Sequence, residues 1–235
     1  MYLWERFIYM EHRITIVSFD KKINYKELVA FRGAIANLFS DNTIYHNHDG
    51  DSFVYHYPLV QYKIINGQIS IIGIDKGADA VESNFSCKQS FMLDIYGTEI
   101  TFNVQEKKSI YYLPKSYDTP CNYYFIKNWL PLNQENYLLY NNLESISEKI
   151  GLLEKILSAN ILSLFNGFNF HSPNKSMVKI VEIVKTQKLN YKTIEMLSFD
   201  IRIKCNADLP DFCGIGKGGS RGFGIIYTSH PRNKR

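Results

Sequence analysis

The alternation of apolar and polar positions divides the chain into two runs of elements in the same order. "EHRITIVSF" alternates as a strand, and "YKELVAFRGAIANLFS" follows with Leu28, Val29, Phe31, Ile35 and Leu38 spaced for one face of a helix. "FVYHYPLVQYKIINGQISIIGI" reads as two strands joined at Asn66-Gly67, a pair suited to the positive φ angles of a tight hairpin turn. A short helix, "KGADAVES", and the strands "QSFMLDIY" and "TEITFNVQ" complete the set. The order is β-α-β-β-α-β with an extra strand near its end.

The second half repeats that order. "CNYYFIKNWLPL" is a strand, and "ESISEKIGLLEKILSANILSLFNGF" is a helix capped at Ser147, with Ile150, Leu153, Leu157, Ile161 and Leu164 at helical spacing. "SMVKIVEIVKTQKLNYKTIEMLSFDIRIKCN" is a long hairpin expected to turn near Leu189-Asn190. The segment "CGIGKGGSRGFG" stands where a second helix would, and "FGIIYTSH" ends the set as a short strand. The pattern predicts an α+β fold of two tandem ferredoxin-like domains, residues 1–110 and 111–235, with the boundary in "YYLPKSYDTPCN".

Composition narrows the function. No run of the sequence is apolar enough to span a membrane, and "MYLWERFIYMEHRITIV" carries early charges, so a soluble, cytoplasmic protein is expected, with no membrane partner. Cys87, Cys121, Cys205 and Cys213 form no C-x-x-C pair, which argues against a structural zinc or a disulfide framework. The net charge of +4 is unevenly spread: from His171 onward 12 Lys and Arg face 5 Asp and Glu, leaving the first 170 residues net acidic. A basic C-terminal half points to an anionic partner, nucleic acid before membrane.

Two segments carry candidate chemistry. In "TIYHNHDGDSFVYHYPLVQYK", His46, His48 and His56 fall within eleven residues of a chain that has six histidines. On an extended backbone His46 and His48 face the same way, and two imidazoles near their ordinary pKa can supply one base and one acid. "HNHD" could also hold a metal through His46, His48 and Asp49 or Asp51, but no further ligand clusters with them, so this ranks below the metal-free reading. It does not reproduce the HNH nuclease motif, whose residues are spread over a larger unit. His56 alternates with Tyr55 and is expected to be structural or exposed, and His12, His171 and His230 are isolated. In the glycine segment, Gly214, Gly216, Gly218, Gly219, Gly222 and Gly224 surround Lys217, Ser220 and Arg221. Glycines let successive N–H groups approach an anion, and the two basic residues add charge, although a Gly-rich hairpin without ligand has the same composition. Gly214-x-Gly216-x-x-Gly219 spells a dinucleotide fingerprint outside the strand-and-helix context that motif requires, and Lys217-Gly218 is not a Walker A pair.

These segments carry a family resemblance. "CGIGKGGSRGFGIIY" resembles the terminal glycine-rich loop of the CRISPR repeat-processing endoribonucleases of the Cas6 family. "FRGAIANLFSDNTIYHNHDGDSFVYHYPLVQYKIINGQISIIGIDKGAD" is similar to the first domain of its b-type branch, with an R-G helix, a histidine pair and a Y-P-L-x-Q-Y-K strand. The resemblance implies metal-independent cleavage of CRISPR precursor RNA within its repeats, by attack of a 2′-hydroxyl, with no cofactor. It implies His46 and His48 as the catalytic pair, Tyr55 as an assisting phenol, and the glycine segment as a holder of RNA. Where the family helix often has a lysine this chain has Leu38, so the cation for the reacting phosphate is expected from Arg32, Lys63 or Arg221. Tyr111, Tyr112, Tyr123 and Tyr124 are candidates to stack on unpaired bases. The alternative is a non-cleaving RNA-binding subunit of a CRISPR effector complex. The expected partners are repeat RNA and, beyond it, other effector subunits or a second copy of the chain.

Overall fold

The computed structural model describes residues 10–45 and 57–228. The first half runs β1 (His12–Phe19), α1 (Tyr25–Leu38), β2 (Val60–Ile65), β3 (Gln68–Ile74), α2 (Lys76–Asn84), β4 (Ser90–Ile95) and β5 (Thr98–Tyr112). The second runs β6 (Asn122–Trp129), α3 (Gln134–Asn142), α4 (Ile146–Gly167), β7 (Val178–Tyr191), β8 (Ile194–Cys205) and β9 (Ile225–Thr228). Each half forms an antiparallel sheet, ordered β2-β3-β1-β5-β4 and β7-β8-β6-β9. With β4 set aside, both follow the ferredoxin-like order. The extra strand of the first half is therefore β4, at the sheet's far edge. In the second half the glycine segment joins β8 to β9 where a helix would otherwise cross.

Local chemistry fixes most of these elements. Asn66 (φ 52°) and Gly67 (φ 84°) make the tight turn between β2 and β3 in the left-handed region. Asn24 and Glu27 form a reciprocal capping box that opens α1. The start of α4 corrects the sequence reading: Ser145, not Ser147, is the cap, because only Ser145 stands three residues before a glutamate. Glu148 returns a carboxylate to the Ser145 amide while Ser145 Oγ accepts the Glu148 N–H. The long hairpin turns at Lys192-Thr193 instead of Leu189-Asn190, since Leu189 pairs with Met196 within the ladder. The sequence pattern does not predict α3; it buries no residue, so no apolar stripe betrays it. Val29 and Leu38 are exposed, and the buried face of α1 is Leu28, Phe31, Ile35 and Ala36.

One face of the first sheet packs under α1 and α2, with Val17, Phe19, Tyr62, Ile69 and Ile71 against Leu28, Phe31, Ile35 and Val81. The other face, Ile14, Ile16, Ile72 and Ile74, shares a core with Ile126, Ile201, Leu153, Leu157 and Ile161 of the second half. Strand β3, covered on both faces, reads as a nearly continuous apolar run for that reason. Each such side chain contributes roughly 1.5–3 kcal/mol. The shared core presses the sheets together and creates a seam between them. Among the described residues no helix is long and apolar enough to cross a membrane.

Candidate nucleic-acid interface

The seam is built on β2, the edge strand of the first sheet. An edge strand presents unpaired backbone groups on one side, and here the glycine segment covers them. The Tyr62 amide donates to the Ser220 carbonyl at 3.0 Å, and Tyr62 and Arg221 form a parallel bridge. Alternation along β2 sends Gln61 and Lys63 to the face toward the second half and Tyr62 to the face toward α1. Gln61 Oε1 accepts the Gly214 amide at 2.8 Å, while Gln61 Nε2 donates to the Pro58 carbonyl at 3.1 Å. Lys63 Nζ donates to the Gly219 carbonyl and reaches the Phe223 carbonyl at 3.5 Å. Tyr57 Oη donates to the Gly214 carbonyl at 2.7 Å. The Y-P-L-x-Q-Y-K run is thus the bed on which the glycine segment lies.

The glycines mostly serve that fit. Gly214, Gly219, Gly222 and Gly224 are buried, while Gly216 and Lys217 are exposed and Gly218, Ser220 and Arg221 are partly so. Gly216, Gly218, Gly222 and Gly224 all have positive φ. A side chain at 214 would occupy the space of the Lys63 ammonium, and one at 222 would meet Leu28 Cδ2 at 2.7 Å. The expectation that every glycine of the segment approaches RNA is therefore corrected for the four buried ones: close packing against β2 and α1 requires them.

Above the bed stand two arginines. The Arg32 guanidinium of α1 lies 6.0 Å from the Tyr62 ring centre, and its Nε is buried with no hydrogen-bond partner, as is the Tyr62 hydroxyl. Burial lowers the Arg32 pKa, and the Arg221 charge facing it lowers it further. Burial lifts the Tyr25 hydroxyl to about 12 against the pull of Arg221. Among the described residues neither arginine makes an ion pair. Tyr25 and Tyr191 pack on Phe223 at 4.7 and 5.7 Å, and Lys217 lies 5.4 Å over the Tyr191 ring. Two cations held together without a carboxylate, in an aromatic frame, suit an anion whose groups stack.

Other candidates fall elsewhere. His46, His48, Tyr55, His56 and His230 lie outside the described residues. The described chain on either side of the histidine segment is firmly held: Tyr45 is buried, donates to the Ala80 carbonyl at 3.0 Å and accepts from Asn84 at 2.9 Å, and Tyr57 meets Gly214 as above. Lys63 is fully buried, which withdraws it as a direct phosphate contact. His12 is buried, with Nδ1 2.7 Å from Asp75 Oδ2. Tyr112 and Tyr124 belong to the core, their hydroxyls bonded to Asp208 and Ala207 carbonyls, so they are unavailable to stack on bases; Tyr111 is exposed. Sequence reasoning misses Gln61, Tyr62, Tyr25 and Tyr191. The first two lie inside the Y-P-L-x-Q-Y-K run, and the others carry no local signal.

Comparison with known proteins agrees with this architecture. The profile of the Cas6b N-terminal domain matches residues 10–110, and that of the Cas6b C-terminal domain matches residues 115–229. A crystal structure of Cas6b superposes with a TM-score of 0.78 at 28% identity, over 94% of this chain and 100% of that one. That of a CRISPR RNA processing endoribonuclease Cas6b gives 0.71 at 24% identity with the same coverage. An uncharacterized protein of Methanocaldococcus jannaschii is 30% identical over 142 residues, 54% of this chain and 95% of its own length.

Proposed function

The chain belongs to the Cas6b family, and on that premise we propose that it is a metal-independent endoribonuclease that cuts CRISPR precursor RNA within each repeat. One imidazole of the His46 and His48 pair takes the proton of a ribose 2′-hydroxyl, whose oxygen attacks the adjacent phosphorus. The other imidazole protonates the departing 5′-oxygen. The products are a 2′,3′-cyclic phosphate and a 5′-hydroxyl. Tyr55 donates to a phosphate oxygen or orients the attacking hydroxyl. In this reading residues 1–110 supply the chemistry and residues 111–235 hold the repeat.

The observation that carries the reading is the unpaired arginine couple. Arg221 lies near enough for its charge to lower the Arg32 pKa, and neither arginine makes an ion pair among the described residues. A phosphodiester relieves their repulsion, and the two guanidinium groups supply the positive charge missing at Leu38. The exposed Lys217 and partly exposed Ser220 extend the contact along the backbone.

The test is incubation with the cognate repeat RNA in excess EDTA, beside the same RNA with a single 2′-deoxy sugar at the cut. Cleavage of the first alone, abolished in the variant His46→Ala plus His48→Ala, is the expected result. Binding without cleavage of either RNA would make the chain a non-cleaving subunit of an effector complex. Cleavage only on restoring metal would shift the chemistry to a metal held by His46, His48 and Asp49 or Asp51. Association with other effector subunits or with a second copy belongs to the same proposal and is read by light scattering with and without RNA.

A further inference from the structure

Lys63 is a lysine without an acid. It is fully buried on β2, and its Nζ is bonded to the Gly219 and Phe223 carbonyls that flank Arg221 in the glycine segment. The groups facing it are those carbonyls, the Cys213 thiol and, in contact with that thiol, the Tyr57 hydroxyl. No carboxylate of the described residues faces it from β2 or from the segment above. Taking an ammonium out of water without an ion pair costs several kcal/mol, yet a methionine of similar volume would fill the same space. The cation is doing something a hydrocarbon cannot.

Its bonds suggest what. The Gly219 carbonyl is held by Lys63 and the Ser220 carbonyl by the Tyr62 amide, while the Arg221 amide donates to the Gly218 carbonyl at 2.8 Å. These three bonds, on consecutive or nearly consecutive residues, fix the peptide planes leading into Arg221. A residue at 214 larger than glycine would displace the ammonium, so the segment is shaped around it.

We propose that Lys63 is a positioning residue for RNA cleavage: from the strand that follows the histidine segment, it holds the glycine segment so that Arg221 faces Arg32 across the substrate phosphate. This rests on the endoribonuclease reading above. Burial pulls the Lys63 pKa down to about 7, so the ammonium is close to losing its proton at neutral pH when the seam is empty. A bound polyanion favours the protonated form, and reciprocity then requires protonation of Lys63 to favour RNA.

A double-mutant cycle tests this. The dissociation constant for repeat RNA with a 2′-deoxy sugar at the cut, and the single-turnover cleavage rate at saturating unmodified RNA, are measured for wild type, Lys63→Met, Arg221→Ala and the double variant. Loss of one charge-assisted contact weakens binding about 10- to 100-fold. Lys63→Met is expected to reproduce the Arg221→Ala losses in both quantities, with the double variant no worse than Arg221→Ala alone. Losses that multiply in the double variant, or a Lys63→Met protein that binds and cuts as wild type, would overturn the inference while leaving the functional reading standing. A wild-type protein that neither binds nor cuts repeat RNA would overturn that reading, and the inference with it. If Lys63→Met does not fold, NMR of wild-type protein labelled at lysine Cε decides instead. The resonance titrating near neutral pH should move upward on adding the deoxy RNA, and a titration unmoved by saturating RNA would refute the coupling.

Discussion

The Arg32 guanidinium lies 6.0 Å from the centre of the Tyr62 ring, and the backbone of the same tyrosine is bridged to Arg221. One residue of β2 therefore registers both arginines, the first through its ring and the second through its backbone, whose amide donates to the Ser220 carbonyl next to Arg221. Neither sheet alone builds the site.

Arg221→Ala is expected to weaken RNA binding about 10- to 100-fold and to lower the slope of log affinity against log salt by about 1. Arg32→Lys should also lose affinity, since an ammonium neither stacks on Tyr62 nor offers a planar fork. Fluorescence anisotropy across a salt series reads both effects. An unchanged salt slope in Arg221→Ala would remove that residue from the phosphate contact.

Glycines in the two halves should respond in opposite senses to alanine. A methyl group added at Gly33 would meet open space, and the residue sits inside α1, so Gly33→Ala is expected to stabilise the fold by about 0.5–1 kcal/mol. Gly222 has φ +86° and Leu28 in the way, so Gly222→Ala should destabilise by at least about 1 kcal/mol. Thermal melts of the two variants against wild type check the contrast.

Helix α4 gives a sharper comparison between neighbours. Ser145→Ala removes a reciprocal capping box and should cost about 1 kcal/mol, whereas Ser147→Ala, inside the first turn and exposed, should stay within about 0.5 kcal/mol of wild type. Urea denaturation at equal protein concentration separates them.

Stability should also depend on pH through Lys63. Its folded pKa of about 7 lies below the ordinary 10.5, so the unfolded chain binds the extra proton between those values. Stability therefore falls as pH drops from about 9 toward 7 and is flat with respect to this group below that. Above about 9 the buried thiols oppose the trend, because Cys205 and Cys213 are pushed up to about 12 and favour the fold only while protonated. Chemical denaturation from pH 7 to 9 should show the rise in wild type and lose most of it in Lys63→Met.

What the sequence disclosed was the information held locally. Asn66-Gly67 forces its turn whatever surrounds it, and Leu153, Leu157, Ile161 and Leu164 mark a helix because one core takes all four. The exposed helix α3 has no such core, and helical spacing alone does not separate Ser147 from Ser145, which only the reciprocal bond with Glu148 singles out. The meaning of Lys63 was out of reach for a different reason. A lysine in an apolar strand is ordinarily a solvated residue, and only the pairing of β2 with a segment about 150 positions later turns it inward. The glycine composition advertises a capacity to hold an anion, yet Gly214 and Gly222 owe their identity to Lys63 and Leu28, contacts no local pattern encodes. The reading of His46 and His48 rests on spacing and resemblance alone, since both lie outside the described residues.

The bonds of Gly214 to Gln61 and Tyr57 join residues 153 and 157 positions apart. Closing so long a loop yields nothing until both ends are already framed, so such contacts form late in folding. On a ribosome, β2 and the histidine segment are complete while Arg221 is still to be made. Under the proposed function, a nascent or truncated chain would carry the histidine pair without the arginine couple complete. Under that same proposal, competence to act on RNA would arrive in one step, when the last loop settles on the first sheet's edge.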